Sequence, residues 1–166
     1  MTENLTITTM SPDDWPVVRA IYKEGMETKQ ATFETTVPSW SEWDAGKRPD
    51  CRLVARREKW VIGWAALNSV SRRAVYTGVA EVGIYIAEQE RGQGVGRTLL
   101  NALIEAAEEA GIWTLQASVF PENETSSGLF QACGFRTVGY RERIARQDGV
   151  WRDTLLLERR STAAGE

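Results

Sequence analysis

A chain of 166 residues that is 42% hydrophobic and 26% charged suits one domain around one core. Its net charge of −3 gives no reason to expect nucleic acid or an anionic membrane as partner, and no apolar run approaches a bilayer span. The absence of histidine excludes Ser-His-Asp and Cys-His centres and every histidine-ligated metal.

In chain order, Leu5, Ile7 and their alternating threonines predict a first strand over 5–9. Ser11, Pro12 and Asp14 then supply an N-cap, a first-turn proline and an acid at N3. Trp15, Val18, Ile21 and Tyr22 continue at helical spacing, so a helix is expected to about residue 28. Residues 31–37 read as irregular, and Ser39 caps a second, short helix carrying Trp40 and Trp43. Two strands follow over 52–56 and 60–67, joined by a polar turn, and a loop with Arg72 and Arg73 leads to a strand over 80–86. Leu99, Leu100, Leu103, Ile104 and Ala107 mark one face of a helix that Gly111 ends. A strand over 113–120 precedes a helix capped by Asn123 and closed by Gly134. The last two strands, 135–144 and 150–157, turn at Asp148-Gly149. The predicted order is β-α-α-β-β-β-α-β-α-β-β: a single α/β domain over 1–160, with a small polar tail over 161–166 expected to be disordered.

Cys51 and Cys133 lie far apart with no C-x-x-C pair, so neither a zinc site nor a disulfide framework is indicated, and no metal is expected. The first residues carry no basic region followed by an apolar one, so no leader is expected and the cytoplasm is the expected location.

The most informative stretch is the strand over 80–86 running into Arg91-Gly92-Gln93-Gly94-Val95-Gly96 and thence into a helix. Glycines at alternate positions let main-chain N–H groups converge on a ligand, and the helix start adds unpaired donors and a positive dipole end. Such a device binds a pyrophosphate. A Walker loop would need G-x-x-x-x-G-K-[ST], and a dinucleotide fingerprint would need a third glycine where Arg97 stands. A glycine-rich turn without a ligand is the plain alternative.

R-G-x-G-V-G followed by Leu99-Leu100 resembles the acetyl-CoA pyrophosphate loop of the GCN5-related N-acetyltransferases. Asn123, Ser126, Leu129-Phe130 and Gly134-Phe135 resemble that family's later signature, in the right order. Within the superfamily the chain is most similar to the phosphinothricin and methionine sulfone/sulfoximine group, through Ile21-Tyr22, Ala31-Thr32-Phe33-Glu34, Glu81, and Gly149, Trp151 and Asp153. The resemblance implies a mixed sheet flanked by helices, acetyl-CoA as cosubstrate, a small-molecule primary amine as acceptor and a homodimer. It implies that main-chain groups of Ile84, Tyr85 and Ile86 hold the pantetheine arm. It also implies that Gly92, Gln93, Gly94, Val95, Gly96 and Arg97 hold the pyrophosphate, and that Asn123 bonds the cofactor arm.

Acetyl transfer needs a neutral amine, a positioned thioester and donors for the charge that develops on the carbonyl oxygen. Strand alternation puts Glu81, Gly83 and Tyr85 on one face and Val82, Ile84 and Ile86 on the other. Glu81 matches the glutamate thought to deprotonate the amine in the phosphinothricin enzymes and is the candidate base; a solvated strand glutamate is its plain alternative. Gly83 admits a bulge or a close approach of the thioester to the backbone. The group's acid is less clear, because Phe130 stands where relatives carry tyrosine or histidine. The thiolate leaves unaided or is protonated by water, or Tyr85 or Tyr140 substitutes. Phe33 and Tyr76 match aromatic positions lining the acceptor pocket, with core packing as the alternative. Thr77 stands where amino-acid-acetylating relatives place a carboxylate-binding arginine, leaving Arg72 and Arg73 as nearby substitutes. Two other readings stay open: an acetyl-CoA-binding sensor without chemistry, which Phe130 favours and Glu81 opposes, and an acetyltransferase acting on protein or peptide amines.

Overall fold

The computed structural model describes residues 4–166; the start of the chain read for a leader, residues 1–3, lies outside them. The elements are β1 (Leu5–Thr9), α1 (Trp15–Glu27), α2 (Trp40–Gly46), β2 (Leu53–Arg57), β3 (Trp60–Ser69), β4 (Val79–Ile86), α3 (Val95–Glu109), β5 (Thr114–Val119), α4 (Glu124–Ala132), β6 (Arg136–Gln147) and β7 (Val150–Arg160). This is the predicted order, with three short 3-10 turns added. The strands form one seven-stranded sheet, β1-β2-β3-β4-β5-β7-β6.

Local signals set the helix starts. Ser11 and Asp14 form a reciprocal capping box ahead of α1, as Ser39 and Glu42 do for α2. α3 turns Leu99, Leu100, Leu103 and Ile104 into a core with Leu67, Leu115, Phe130 and Leu157 on one side of the sheet. α1 and α2 cover the other side, where Val18, Ile21, Tyr22 and Trp43 pack on Val54, Trp64 and Ala66. Both helical layers therefore bury an apolar stripe against a sheet that is apolar on both faces.

Among the described residues only β4 and β5 are joined in parallel, with α3 as crossover, and their pairing covers Val79↔Thr114, Ala80↔Leu115 and Glu81↔Gln116. Beyond Glu81 the two strands part, whereas β4 stays paired with β3 from Ala80 to Ile86. The sheet is thus opened along one edge of β4. Gly78 makes the junction close: its carbonyl accepts from the N–H groups of Trp113 and Thr114 at 2.8 and 3.0 Å. A Cβ there would lie 2.0 Å from the Trp113 ring.

Three expectations change. Gly83 hosts no bulge toward β3, for the register runs unbroken through Ala66↔Gly83. The final strands are longer than the hydrophobic pattern suggests, because irregular steps between Thr137 and Gly139 and between Arg141 and Ala145 let the ladder continue past polar residues. Asp148 and Gly149, at φ 51° and 79°, make their turn. The tail over 161–166 has no helix or strand, yet it is seated. Arg160 donates to the carbonyls of Ser161, Ala164 and Gly165 at 2.6–2.9 Å, and the Ser161 N–H bonds the Trp113 carbonyl at 2.8 Å.

Candidate active site

The glycine loop meets α3 as the sequence suggests. Gly92 and Gly94 adopt φ of 77° and 82°, where an L side chain is strained, and open space lies where a Cβ would sit on either. Thr98 N–H is bonded to the Gly94 carbonyl at 3.2 Å, so the donors of Val95, Gly96 and Arg97 belong to the unpaired first turn. No acid occupies that turn, while Arg91 and Arg97 flank it on the surface. Val95 itself is buried and anchors the helix start. Gly96 permits contact with α4, since a Cβ would stand 3.2 Å from Leu129. Main-chain donors, positive dipole and arginines together fit a pyrophosphate.

The open edge of β4 leads from this loop. Ile84 and Ile86 pack against the α3 core, and Tyr85 against the opposite core, so what the edge offers beyond Glu81 is main chain. The Ile86 carbonyl already accepts from Arg91 Nε at 3.3 Å. Asn123 caps α4 through its Oδ1, which accepts from Ser126 N–H at 3.1 Å, while its Nδ2 donates to the Gln30 carbonyl at 3.0 Å. Both ends of this side chain therefore have protein partners, and one of them is the loop after α1. Arg152 and Gln147 hold the same loop, through the carbonyls of Lys29 and Thr32 at 2.9 and 2.8 Å.

On the face bearing Glu81, Gly83 and Tyr85, the ladder sets Asn68, Ala66 and Trp64 opposite them. A cavity of about 380 Å³ opens here, walled by Tyr22, Glu34, Val37, Trp43, Lys47 and Asn68. Tyr22 and Trp43 of its wall belong to an aromatic cluster, in which Trp64 stacks on Tyr85 at 5.0 Å and Tyr22 lies 4.9 Å from Tyr85. Burial pushes the Tyr85 phenol far up; the neighbouring Tyr22 adds to this and a Thr32 hydrogen bond opposes it.

Lys47 is the residue that sequence reasoning missed. It follows the last residue of α2, in a turn held by Arg52, which donates to the carbonyls of Asp44, Lys47 and Arg48 at 2.7–3.1 Å. Arg48 N–H docks that turn on the Leu67 carbonyl of β3 at 2.8 Å. The ammonium reaches inward to donate to Asn68 Oδ1 at 2.7 Å, and Asn68 is itself fixed by donating to the Gly46 carbonyl at 2.8 Å. Lys47 Nζ stands 3.8 Å from where a Gly83 Cβ would lie and 5.9 Å from the centre of the Trp64 ring. Burial lowers its pKa; the carboxylates of Glu81 and then Glu34 oppose that shift through space. Glu81 and Lys47 thus flank Gly83 on one face, an acid and a cation side by side.

The remaining sequence candidates lie apart from this cavity. Phe33 packs edge-on against Phe120 at 4.9 Å. Tyr76 is 45% exposed and lies under the Arg73 guanidinium. Arg72 is also exposed on that loop. Phe130 is buried against Phe135 in the opposite core. Tyr140 sits on β6, the far edge of the sheet, and donates its hydroxyl to Asp153, which removes it from the open edge of β4. Cys133 is buried and Cys51 partly so, both as free thiols.

A parallel pair parted beside a glycine loop that opens a helix is the frame of an acyl-CoA-dependent transferase. Residues 15–135 match the acetyltransferase (GNAT) family, and the chain belongs to that family of acetyl-CoA-dependent N-acetyltransferases. It is 38% identical over 161 residues to the phosphinothricin N-acetyltransferase of Alcaligenes faecalis, covering 93% of this chain and 81% of that protein. It is 26% identical to the L-methionine sulfoximine/L-methionine sulfone acetyltransferase of Pseudomonas aeruginosa, over 87% of this chain and 88% of that one. Among solved structures, a phosphinothricin acetyltransferase of Sinorhizobium meliloti in complex with acetyl-CoA superposes with a TM-score of 0.85 at 26% identity, covering 98% of this chain and 92% of that one.

Proposed function

We propose that the acceptor is the primary amine of a small molecule, an amino acid or analogue of the phosphinothricin or methionine sulfone/sulfoximine kind, acetylated by direct attack in a ternary complex. The observation that carries this reading is the 380 Å³ cavity walled in part by Lys47 and by Asn68, the ladder partner of Glu81, whose size suits a ligand of amino-acid dimensions. Acetyl-CoA supplies the acetyl group as an activated thioester. Residues 92–97 hold its pyrophosphate through main-chain N–H groups, and the edge of β4 at Ile84, Tyr85 and Ile86 holds the arm. Glu81, on the cavity face and opposite Asn68 in the ladder, takes the proton that the amine loses. Bonding of a β4 main-chain donor to the developing oxyanion supplies the electrostatic part of the rate. The relatives' acceptors and the fit of a cavity walled by Tyr22 and Trp43 to a compact amine both support this assignment.

The test is release of free coenzyme A with a panel of phosphinothricin, methionine sulfone, methionine sulfoximine, a polyamine and a lysine peptide, for wild type and Glu81→Gln. Turnover on the amino-acid analogues that falls about a hundredfold or more in the variant is the expected result. Turnover confined to the peptide would overturn the acceptor class, and undiminished turnover in Glu81→Gln would remove it as base.

A further inference from the structure

Phe130, buried in the opposite core, has no proton to give, and Tyr140 lies at the far sheet edge, which removes one of the two tyrosines open as proton donors. The other, Tyr85, is stacked between Tyr22 and Trp64, and its phenol is pushed far above its usual value by burial. A group that holds its proton so firmly is a poor acid. The cation at the site is Lys47, which comes from an element on which no motif falls.

We propose that Lys47 is the proton donor to the departing thiolate, working with Glu81 across Gly83. Three features of its placement point there. The side chain is aimed: Asn68 Oδ1 takes one N–H at 2.7 Å, leaving two donor directions of a three-donor ammonium. It is local to the chemistry: Nζ lies 3.8 Å from the Cβ position of Gly83, two residues past the last β4–β5 pair, Glu81↔Gln116. And it is coupled: Glu81 faces it through space from the neighbouring ladder position.

The charged and titratable groups around it come from several elements. Tyr22 lies on α1, Glu34 on the loop after it, Glu42 on α2, and Glu81 and Tyr85 on β4. Arg52, just before β2, acts with burial to lower the pKa of Lys47. A lysine whose pKa is lowered gives up its proton more readily than an ordinary one.

The step balances. The amine nitrogen bonds to the acetyl carbon and the carbon–sulfur bond breaks with its electron pair on sulfur. Lys47 Nζ gives that sulfur a proton. Glu81 has accepted the proton lost by the amine, and its return to the neutral Lys47 amine restores both residues.

This assignment rests on the ternary-complex reading above, so the experiment includes a measurement that needs no acceptor. Wild type, Lys47→Met and Lys47→Arg would be compared for acetyl-CoA affinity, for the pH dependence of kcat, and for the ultraviolet titration of the thiol of bound coenzyme A. Expected in Lys47→Met are unchanged acetyl-CoA affinity, a fall in kcat of about a hundredfold, and loss of the alkaline limb of the kcat profile. The bound thiol is expected to titrate at higher pH in Lys47→Met than in wild type, since the nearby ammonium favours the thiolate. Lys47→Arg keeps the charge without a transferable proton and is expected to restore the thiol titration but not kcat. Full rescue of kcat by arginine would overturn proton donation, and so would a variant whose KM alone rises for carboxylate-bearing acceptors, which would make Lys47 an anchor. Coincident thiol titrations in wild type and Lys47→Met would also overturn it. If the wild type turned over none of the panel, the acceptor assignment would fail, while coincident thiol titrations in wild type and Lys47→Met would still overturn the placement of Lys47 beside the sulfur.

Discussion

Gly78 and Gly83 lie five residues apart and have opposite reasons for being glycine. At Gly83 a Cβ would meet the Ala66 carbonyl, Lys47 Nζ and Trp64 Cη2, each at 3.8 Å, which is ordinary contact. Its backbone lies outside the positive-φ set, and the ladder through it is regular. The fold therefore has room for alanine. Glycine inside a strand costs about 0.5–1 kcal/mol relative to alanine through backbone entropy, so Gly83→Ala should raise stability by about 0.5 kcal/mol. The same methyl group projects toward Lys47 Nζ and Trp64 Cη2, on the face from which the proposed mechanism brings the reacting amine. A displacement of about 1 Å in a near-attack geometry costs roughly a hundredfold, and kcat/KM should fall by that order. At Gly78 the added methyl would meet Trp113 at 2.0 Å. Overpacking of that severity costs about 3 kcal/mol, so Gly78→Ala should lose stability first and activity with it. Urea unfolding midpoints and kcat/KM on the same preparations separate the two cases. A Gly83→Ala protein destabilised by more than about 1 kcal/mol, or one with wild-type kcat/KM, would refute the reasoning.

Asp14 ties the start of α1 to β2: it takes two bonds from Arg56 Nη2 at 2.8 and 2.9 Å and one from Ser11 N–H at 2.9 Å. Its side chain is only 10% exposed and that of Arg56 23%, so Asp14→Ala should cost about 2–3 kcal/mol in urea unfolding; a loss below about 1 kcal/mol would show the pair to be surface-like. Burial pushes the Tyr22 phenol from 10.0 up to about 12, with Glu34 adding to the rise and a Thr32 hydrogen bond opposing it. Because the folded value lies above the unfolded one, the stabilisation is complete below pH 10 and is lost as pH rises through about 12. Tyr22→Phe should therefore unfold less steeply across that window, and its tyrosinate absorbance should lack a late-titrating phenol; superimposable curves would count against the buried placement. We propose a homodimer formed through the β6–β7 hairpin, where Val138, Tyr140, Ile144, Val150 and Trp151 are exposed. Sedimentation equilibrium should give two copies for wild type and one for Val150→Asp, and an unchanged mass in that variant would move the interface elsewhere.

What was legible in the sequence was what short-range rules govern. The two capping boxes, the I′-type turn at Asp148-Gly149 and the helical stripe of α3 each depend on residues a few positions apart. The conformation of the glycine loop was legible for the same reason, since it depends on Gly92, Gly94 and the start of one helix. The ends of β6 and β7 were not, because the irregular steps that prolong their ladder carry no hydrophobic signal, and Arg143, at φ 50° with its N–H on Asp153 Oδ1 at 2.7 Å, holds one of them. Nor was the seating of the tail, whose small residues look featureless until Arg160 and Trp113 are placed beside them.

The acceptor side of the site shows most plainly where local reading stops. Glu81 could be picked out because an acid stands in an apolar strand next to the cofactor loop. Lys47 offered no such contrast, being one cation beside Arg48 in a polar turn after a seven-residue helix. It becomes a candidate only through contacts distant in sequence: Arg52 and the Leu67 carbonyl set the turn, Asn68 aims the ammonium, and Tyr22, Trp43 and Trp64 supply the aromatic surroundings. Charge alone on an exposed turn would leave it solvated. Burial against rings, one fixed hydrogen bond and two acids acting from a distance change what the same ammonium can do. That is why a residue outside every motif belongs in the mechanism, while Tyr76 and Arg73, close in sequence to Glu81, remain on an exposed loop.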